Sequence, residues 1–157
     1  MSLLMRLHHF VSRFTKPKTL GVQGVILSSD SRVFLVRQTY NGGWHFPGGG
    51  VETGETLRAA LRREVKEEAA IEVLARPKLH GVFFNDIYSR RDYISVFVVT
   101  DYRVLGERAP DWEIAEAGFF DVNDLPDETT PEARVRLREI LEGLEPDDYW
   151  RSRDAIK

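Results

Sequence analysis

The sequence predicts an α/β domain. Three observations carry that expectation. Short β-rich runs recur along the chain, two segments inside it repeat apolar residues at helical spacing, and 157 residues with 42% hydrophobic side chains are enough for one compact core. Residues 1–17 read as a helix and linker, 18–145 as the domain, and 146–157 as a C-terminal tail.

Leu3, Leu7, Phe10 and Phe14 recur at helical spacing, so Met1 to Phe14 is expected to be an amphipathic helix ended by Lys16-Pro17. Its polar face is only weakly basic, which favours packing on the domain or on a second subunit over lying on a membrane. Its apolar stretch is too short for a signal peptide and no small-residue cleavage site follows it. Leu20 to Leu27 and Val33 to Arg37 are β-rich runs joined by Ser29-Asp30-Ser31, the pattern of a hairpin. Asn41-Gly42-Gly43 reads as a flexible loop. The glycines around Pro47, up to Gly50, cannot make a stable strand or helix interior and suit a loop whose backbone approaches an ion.

Thr56 to Glu68 reads as a helix, with Leu57, Leu61 and Val65 at four-residue spacing among good helix formers and no Pro or Gly inside. Glu72 to Leu74, Leu79 to Phe84 and Tyr93 to Val99 read as strands, the last two paired across Asp86 to Asp92. Gly106 to Pro110 is a loop. Thr130-Pro131-Glu132 starts a second helix, with Thr at the N-cap and Pro in the first turn. Its apolar stripe is Ala133, Leu137, Ile140, Leu141 and Leu144, and Arg134, Arg136 and Arg138 read as its solvated face.

A net charge of -3 and a pI near 5.8 give no basic footprint for nucleic acid. An anionic substrate would have to be drawn in by local cations or metal ions. The absence of cysteine excludes disulfides, thiolate zinc sites and cysteine nucleophiles, and fits a cytoplasmic protein. No apolar run approaches the ~20 residues of a membrane span, so no membrane partner is expected.

The first helix carries an anomaly. At about 100° per residue, Glu64 and Glu68 fall in line with Leu57 and Leu61, with Glu67 nearby, so the apolar stripe continues as a carboxylate stripe. Like charges at this spacing repel, and acids in a last turn face the negative end of the helix dipole. Two readings of the helix alone stand: a solvated charged face, or a carboxylate cluster for a hard divalent cation.

The surrounding residues decide between them. Gly49, Glu55, Arg63, Glu64, Val65, Glu67, Glu68 and Ile71 fall in register on G-x5-E-x7-R-E-U-x-E-E-x-G-U, where U is aliphatic. This stretch resembles the Nudix box. The single departure is Ala70, where the family has Gly. That position is expected to keep the left-handed backbone of a helix cap, at a cost of roughly 1 kcal/mol.

The resemblance implies an α/β/α sandwich with a mixed sheet and the hydrolysis of a nucleoside diphosphate linked to another moiety, with Mg²⁺ as cofactor and Mn²⁺ as an alternative. It assigns metal ligation to the Gly49 carbonyl and to Glu67 and Glu68, with Glu64 as ligand or base. Arg63 would orient Glu64, and Glu55 would pair with Arg63. The segment Trp44 to Pro47 looks like the short aromatic strand that leads into the family's box. Arg37 matches a basic strand position facing substrate phosphates, and Tyr88 matches a position that helps to choose the leaving group in some members. The family's ADP-ribose pyrophosphatases carry prolines where this chain has Asp86 and Ile87.

In the stretch DWEIAEAGFF, Glu113 is the best match to a further carboxylate at the metal site and Glu116 the second. The implied partner is a small-molecule phosphoanhydride, and the resemblance leaves a homodimer open. A related isomerase on this fold depends on a cysteine that this chain lacks.

Overall fold

The computed structural model describes residues 18–40, 42–87 and 90–151. The expected N-terminal helix, Tyr88, Asn41 and the end of the tail lie outside these residues. Among the described residues, nine strands and two helices follow in order: β1 (Thr19–Ile26), β2 (Arg32–Gln38), β3 (Trp44–His45), β4 (Gly48–Gly50), α1 (Leu57–Ala69), β5 (Ile71–Val73), β6 (Lys78–Asn85), β7 (Asp92–Val99), β8 (Tyr102–Val104), β9 (Ile114–Asp121) and α2 (Pro131–Glu142). Neither helix is long and apolar enough to cross a membrane.

The strands form a mixed four-stranded sheet in the order β4-β1-β7-β6, an antiparallel sheet β3-β2-β9 and the pair β5-β8. Strand β1 runs parallel to β7 over its whole length, from Thr19 opposite Asp92 to Ile26 opposite Val99. Because β1 alternates sides, it feeds two cores. Val22 and Ile26 pack with Ala60, Leu61, Val65 and Ala69 of α1. Val25 faces the other way, toward Phe46, Phe83, Ala133 and Leu137, the last two from α2. A helix therefore covers each side, as the expected sandwich requires. Gly24 lets α1 lie close: a Cβ there would stand 3.0 Å from Val65 and 3.2 Å from Leu61.

Three expectations are corrected. The first is the hairpin. Its turn exists, with Leu27 bridging Val33 and the Ser28 amide donating to the Arg32 carbonyl over 2.9 Å, but β1 and β2 then part into different sheets. Val33 to Val36 are all buried, so β2 needs cover on both faces: Phe34 and Val36 join the core under α1, and Val33 and Leu35 the core under α2. The second is the glycine run, which is the edge strand β4 rather than a loop, paired antiparallel with Gly21 to Gln23 of β1. A Cβ at Gly48 would lie 2.0 Å from the Val22 carbonyl oxygen, so the pairing is possible because the side chains are absent.

The third correction concerns α2. Arg136 is fully buried, while Leu141 and Leu144 are 50% and 45% exposed. Arg136 lies over the Phe83 ring at 4.2 Å, pairs with Glu139 at 2.8 Å and donates to the Tyr149 carbonyl over 3.2 Å. Glu139 in turn meets His80 Nε2 at 2.9 Å. Burial makes the guanidinium easier to deprotonate than usual, and the charges of Glu139, Asp147 and Glu132 oppose that.

The tail segment carries more structure than its sequence suggests. The Phe84 amide donates to the Asp148 carbonyl over 2.8 Å, the Trp150 amide returns the bond to Phe84 over 2.9 Å, and Trp150 itself is buried against Phe83.

Candidate active site

Helix α1 begins where the Thr56 hydroxyl accepts from the Ala59 amide over 3.2 Å, and it ends at Ala70 with φ 52° and ψ 41°. The left-handed cap expected at Ala70 is therefore present without glycine. Its carbonyl accepts from Leu105 over 2.8 Å, and Ile71 is fully buried behind it. These two ends fix the rotation of the helix. Leu61 and Val65 face the core, and Glu64 and Glu68 continue the same side toward β4.

Strand β4 meets these carboxylates with backbone alone. The Gly48 amide donates to Glu68 Oε2 over 2.8 Å, and a Cβ on Gly49 would stand 2.6 Å from the Glu64 carboxyl carbon. Glu68 is only 3% exposed. Burial, with the charges of Glu64 and Glu113 added, pushes its pKa up to about 7, while the Gly48 amide works against that rise.

Arg63 ties the acids together. Its Nε donates to Glu55 Oε1 over 3.1 Å, Nη2 to Glu55 Oε2 and to the Gly50 carbonyl at 3.0 Å each, and Nη1 to Glu64 Oε1 over 2.6 Å. Glu67 lies 3.5 Å from the same guanidinium. These bonds hold Arg63 firmly charged and pull the Glu55 carboxyl below its usual range. Glu64 goes the other way: burial raises its pKa more than the Arg63 charge lowers it.

The structure separates the two candidate acids of the DWEIAE stretch. Glu116 crosses to Arg37 over 2.7 Å, and Arg37 also meets Glu128 at 3.6 Å and lies 5.8 Å from the Trp44 ring. Arg37 is thus shared among carboxylates. Glu113 instead borders an open cleft with Glu67, Glu68, Glu107, Arg108 and Asp111. The sequence reading did not find Arg108 or Asp111. Asp111, two residues before Glu113, accepts from the Glu113 and Ile114 amides through one oxygen, the bond pattern that makes Asp a turn former, and this was the available signal.

Among the described residues, no three His, Asp or Glu side chains are gathered as a metal cage. The cause lies in the bonds just described, since Arg63 draws in Glu64 and Glu67 while Gly48 holds Glu68. The donor set still fits a hard divalent cation. It offers carboxylate oxygens against a glycine backbone that no side chain could share, and a buried acid, Glu68, whose charged form has no cation partner among the described residues.

A second cavity, of about 340 Å³, opens beside Gly48 between the two larger sheets, lined by Gln23, His45, Asn85, Ile94 and Trp150 among others. Two buried atoms on its lining residues, Gln23 Oε1 and His45 Nε2, have no partner among the described residues. His45 Nδ1 lies 3.0 Å from the Phe46 carbonyl and so carries the proton, leaving Nε2 as an acceptor. Burial lowers the His45 pKa, which keeps that tautomer neutral.

Comparison with known proteins agrees with this geometry. A Nudix hydrolase of Bacillus subtilis, YvcI, is 32% identical over 109 residues, which are 66% of this chain and 67% of that protein. An ADP-ribose pyrophosphatase of Methanocaldococcus jannaschii is 35% identical over 111 residues, 68% of this chain and 64% of the relative. The crystal structure of a MutT Nudix hydrolase from Burkholderia pseudomallei superposes with a TM-score of 0.65 at 25% identity, covering 80% of this chain and 98% of that one. The NUDIX domain profile matches residues 17–142. With that match and the carboxylate helix set against a glycine strand, the chain belongs to the Nudix family and is a pyrophosphohydrolase of that family.

Proposed function

We propose that this chain hydrolyses a phosphoanhydride bond in a nucleoside diphosphate derivative by attack of water on phosphorus, with Mg²⁺ as cofactor and Mn²⁺ able to replace it. Nudix hydrolases generally use divalent metals. In this chain Glu67, Glu68 and the Gly49 carbonyl would hold the ion, with Glu113 from the facing loop, and of the two roles open to Glu64 we assign it that of base. The observation that carries the reading is the contact of α1 carboxylates with bare glycine backbone, Glu68 on Gly48 at 2.8 Å and Glu64 filling the space of a missing Gly49 side chain.

Each residue then has a task. Arg63, pinned by Glu55, fixes the direction of Glu64. Glu64 takes the proton of the attacking water as its oxygen bonds to phosphorus and the bridging P–O bond breaks. The bound cation would neutralise the phosphate oxygens and lower the pKa of that water. Most of the rate gain comes from alignment and charge stabilisation. The nucleoside would occupy the cavity of Gln23, His45 and Trp150, and because that cavity adjoins Gly48 the phosphates would then lie beside Glu68. Arg37, held by Glu116 and Glu128, would reach a phosphate by leaving one of them. Tyr88 keeps its proposed part in choosing the leaving group. A cytoplasmic location completes the reading, which leaves the homodimer open.

The relatives named above bracket the substrate, one an ADP-ribose pyrophosphatase and one a MutT protein. The deciding experiment is a panel of nucleotide sugars, dinucleoside polyphosphates and nucleoside triphosphates with Mg²⁺, read by released phosphate or nucleotide. Turnover of at least one compound that is abolished by chelation is expected. Equal turnover with and without the metal on a confirmed substrate would refute the metal role.

A further inference from the structure

Arg108 stands outside the box, yet its side chain is only 15% exposed and it bonds to Glu67, Ala109 and Asp111, all three lining the same cleft. Its Nε donates to the Glu67 carbonyl over 2.8 Å, one of the last-turn carbonyls of α1 that no helical amide can reach. Its Nη2 pairs with Asp111 Oδ2, and Nη1 donates to the Ala109 carbonyl. The other oxygen of Asp111 accepts from the Glu113 amide over 2.8 Å and the Ile114 amide over 2.7 Å. On the far side the Thr39 amide donates to the Glu113 carbonyl over 2.9 Å, and the Thr39 hydroxyl to the Trp112 carbonyl over 2.6 Å. One guanidinium therefore joins the helix end that carries Glu67 and Glu68 to the turn that carries Glu113, and both amide and carbonyl of Glu113 are fixed.

We propose that Arg108, acting through Asp111, is a positioning residue that sets the Glu113 carboxylate against Glu68 and Glu64 and so raises the affinity of the site for a divalent cation. The proposal rests on the metal role given above. Planarity is part of it. A guanidinium can direct donors at the helix carbonyl, the loop carbonyl and the Asp111 carboxylate together, whereas a Lys ammonium at the same place has a single nitrogen to share.

The test uses the full chain and Mn²⁺ alone, with bound metal read from the loss of the free-ion electron paramagnetic resonance signal and folding from metal-free thermal melts. Arg108→Ala is expected to weaken Mn²⁺ binding about tenfold, the scale usual for residues that orient a metal ligand. Glu113→Gln should weaken it to a similar degree. The double variant should bind within about twofold of Glu113→Gln, because Arg108 acts through that carboxylate. Arg108→Lys should recover little. Losses that multiply in the double variant would overturn the proposal, and so would unchanged binding in Arg108→Ala. If Arg108→Ala fails to fold, Asp111→Asn decides in its place: it keeps the acceptor for the two amides and loses the ion pair, and unchanged Mn²⁺ affinity there would refute the role. Glu68→Gln separates the two levels. If it binds Mn²⁺ as well as the wild type, the metal site itself is wrong, whereas a loss there with Arg108→Ala unchanged refutes only the positioning role.

Discussion

The Glu64 carboxylate occupies the space that a side chain on Gly49 would need, with its carboxyl carbon 2.6 Å from the ideal Cβ position. Gly49→Ala should therefore push Glu64 aside. The obstructing atom is the end of a flexible side chain, so the stability cost should stay below about 1 kcal/mol. Activity should fall by about a hundredfold or more, since small misplacements of a reacting group are costly. Gly48→Ala is the contrast: its Cβ would meet the Val22 carbonyl at 2.0 Å, and backbone cannot step aside. That variant should lose roughly 2 kcal/mol or more of stability. Melts and turnover measured on both variants check the pair, and equal behaviour would break the argument.

Ala70 invites the opposite kind of change. It holds φ 52°, where a Cβ costs roughly 1 kcal/mol, so Ala70→Gly removes that strain while enlarging the unfolded ensemble. A net gain of a few tenths to about 1 kcal/mol is expected, with kcat and KM unchanged. Chemical denaturation gives the answer, and a destabilised variant would mean that the cap is relaxed as it stands.

Glu68 should make the metal-free protein less stable as pH rises. Its folded pKa is about 7 against an ordinary value of 4.5, so the folded state holds the proton where the unfolded state has lost it. Its contribution is most favourable below pH 4.5 and is lost as pH climbs through 7. His45, with a lowered pKa, acts in the reverse sense only below its ordinary 6.5. Between pH 6.5 and 8 Glu68 should dominate, with a loss of roughly 1 kcal/mol. Glu68→Gln should flatten that slope, and saturating Mg²⁺ should reverse it by favouring the ionised form. Melts across this interval in chelator and in Mg²⁺ test both statements.

Arg136→Ala should cost about 3 to 5 kcal/mol, because it leaves the buried Glu139 without its cation and opens a cavity beside Phe83. Any change in activity per folded molecule should appear in KM, because Trp150 of the proposed nucleoside cavity packs on Phe83 and follows Tyr149, whose carbonyl Arg136 holds. A loss of less than about 1 kcal/mol in urea titrations would show that Glu139 finds another partner, with His80 the nearest.

What could be read from sequence was what short spacing determines. Helix α1 and its acid stripe follow from neighbours three and four apart, so Glu64 and Glu68 were legible, whereas the Ala70 cap was legible only through the resemblance and Thr56 was read as part of the helix it caps. Arg136 was not. Its burial depends on Phe83, Tyr149 and Glu139 gathering from three segments, and an arginine in an apolar stripe looks like solvated charge until those partners are known. The β1–β2 hairpin failed for a related reason. A turn fixes that two strands are adjacent at one end, whereas their sheet partners are β7 and β9, far along the chain. Arg108 and Asp111 were missed because a loop has no period to read, and their function appears only when α1 and the loop are seen together.

The parallel pairing of β1 with β7 also sets a clock for the growing chain. Thr19 waits for Asp92, 73 residues later, and at ribosomal rates of about 5 to 20 residues per second that wait is roughly 4 to 15 seconds. Strand β4 and helix α1 emerge in the interval, but the inner edge of β1 stays open and α1 has half a floor to rest on. For those seconds the nascent protein exposes Val22, Val25 and Ile26, and it is then that a chaperone or an aggregation partner would find it.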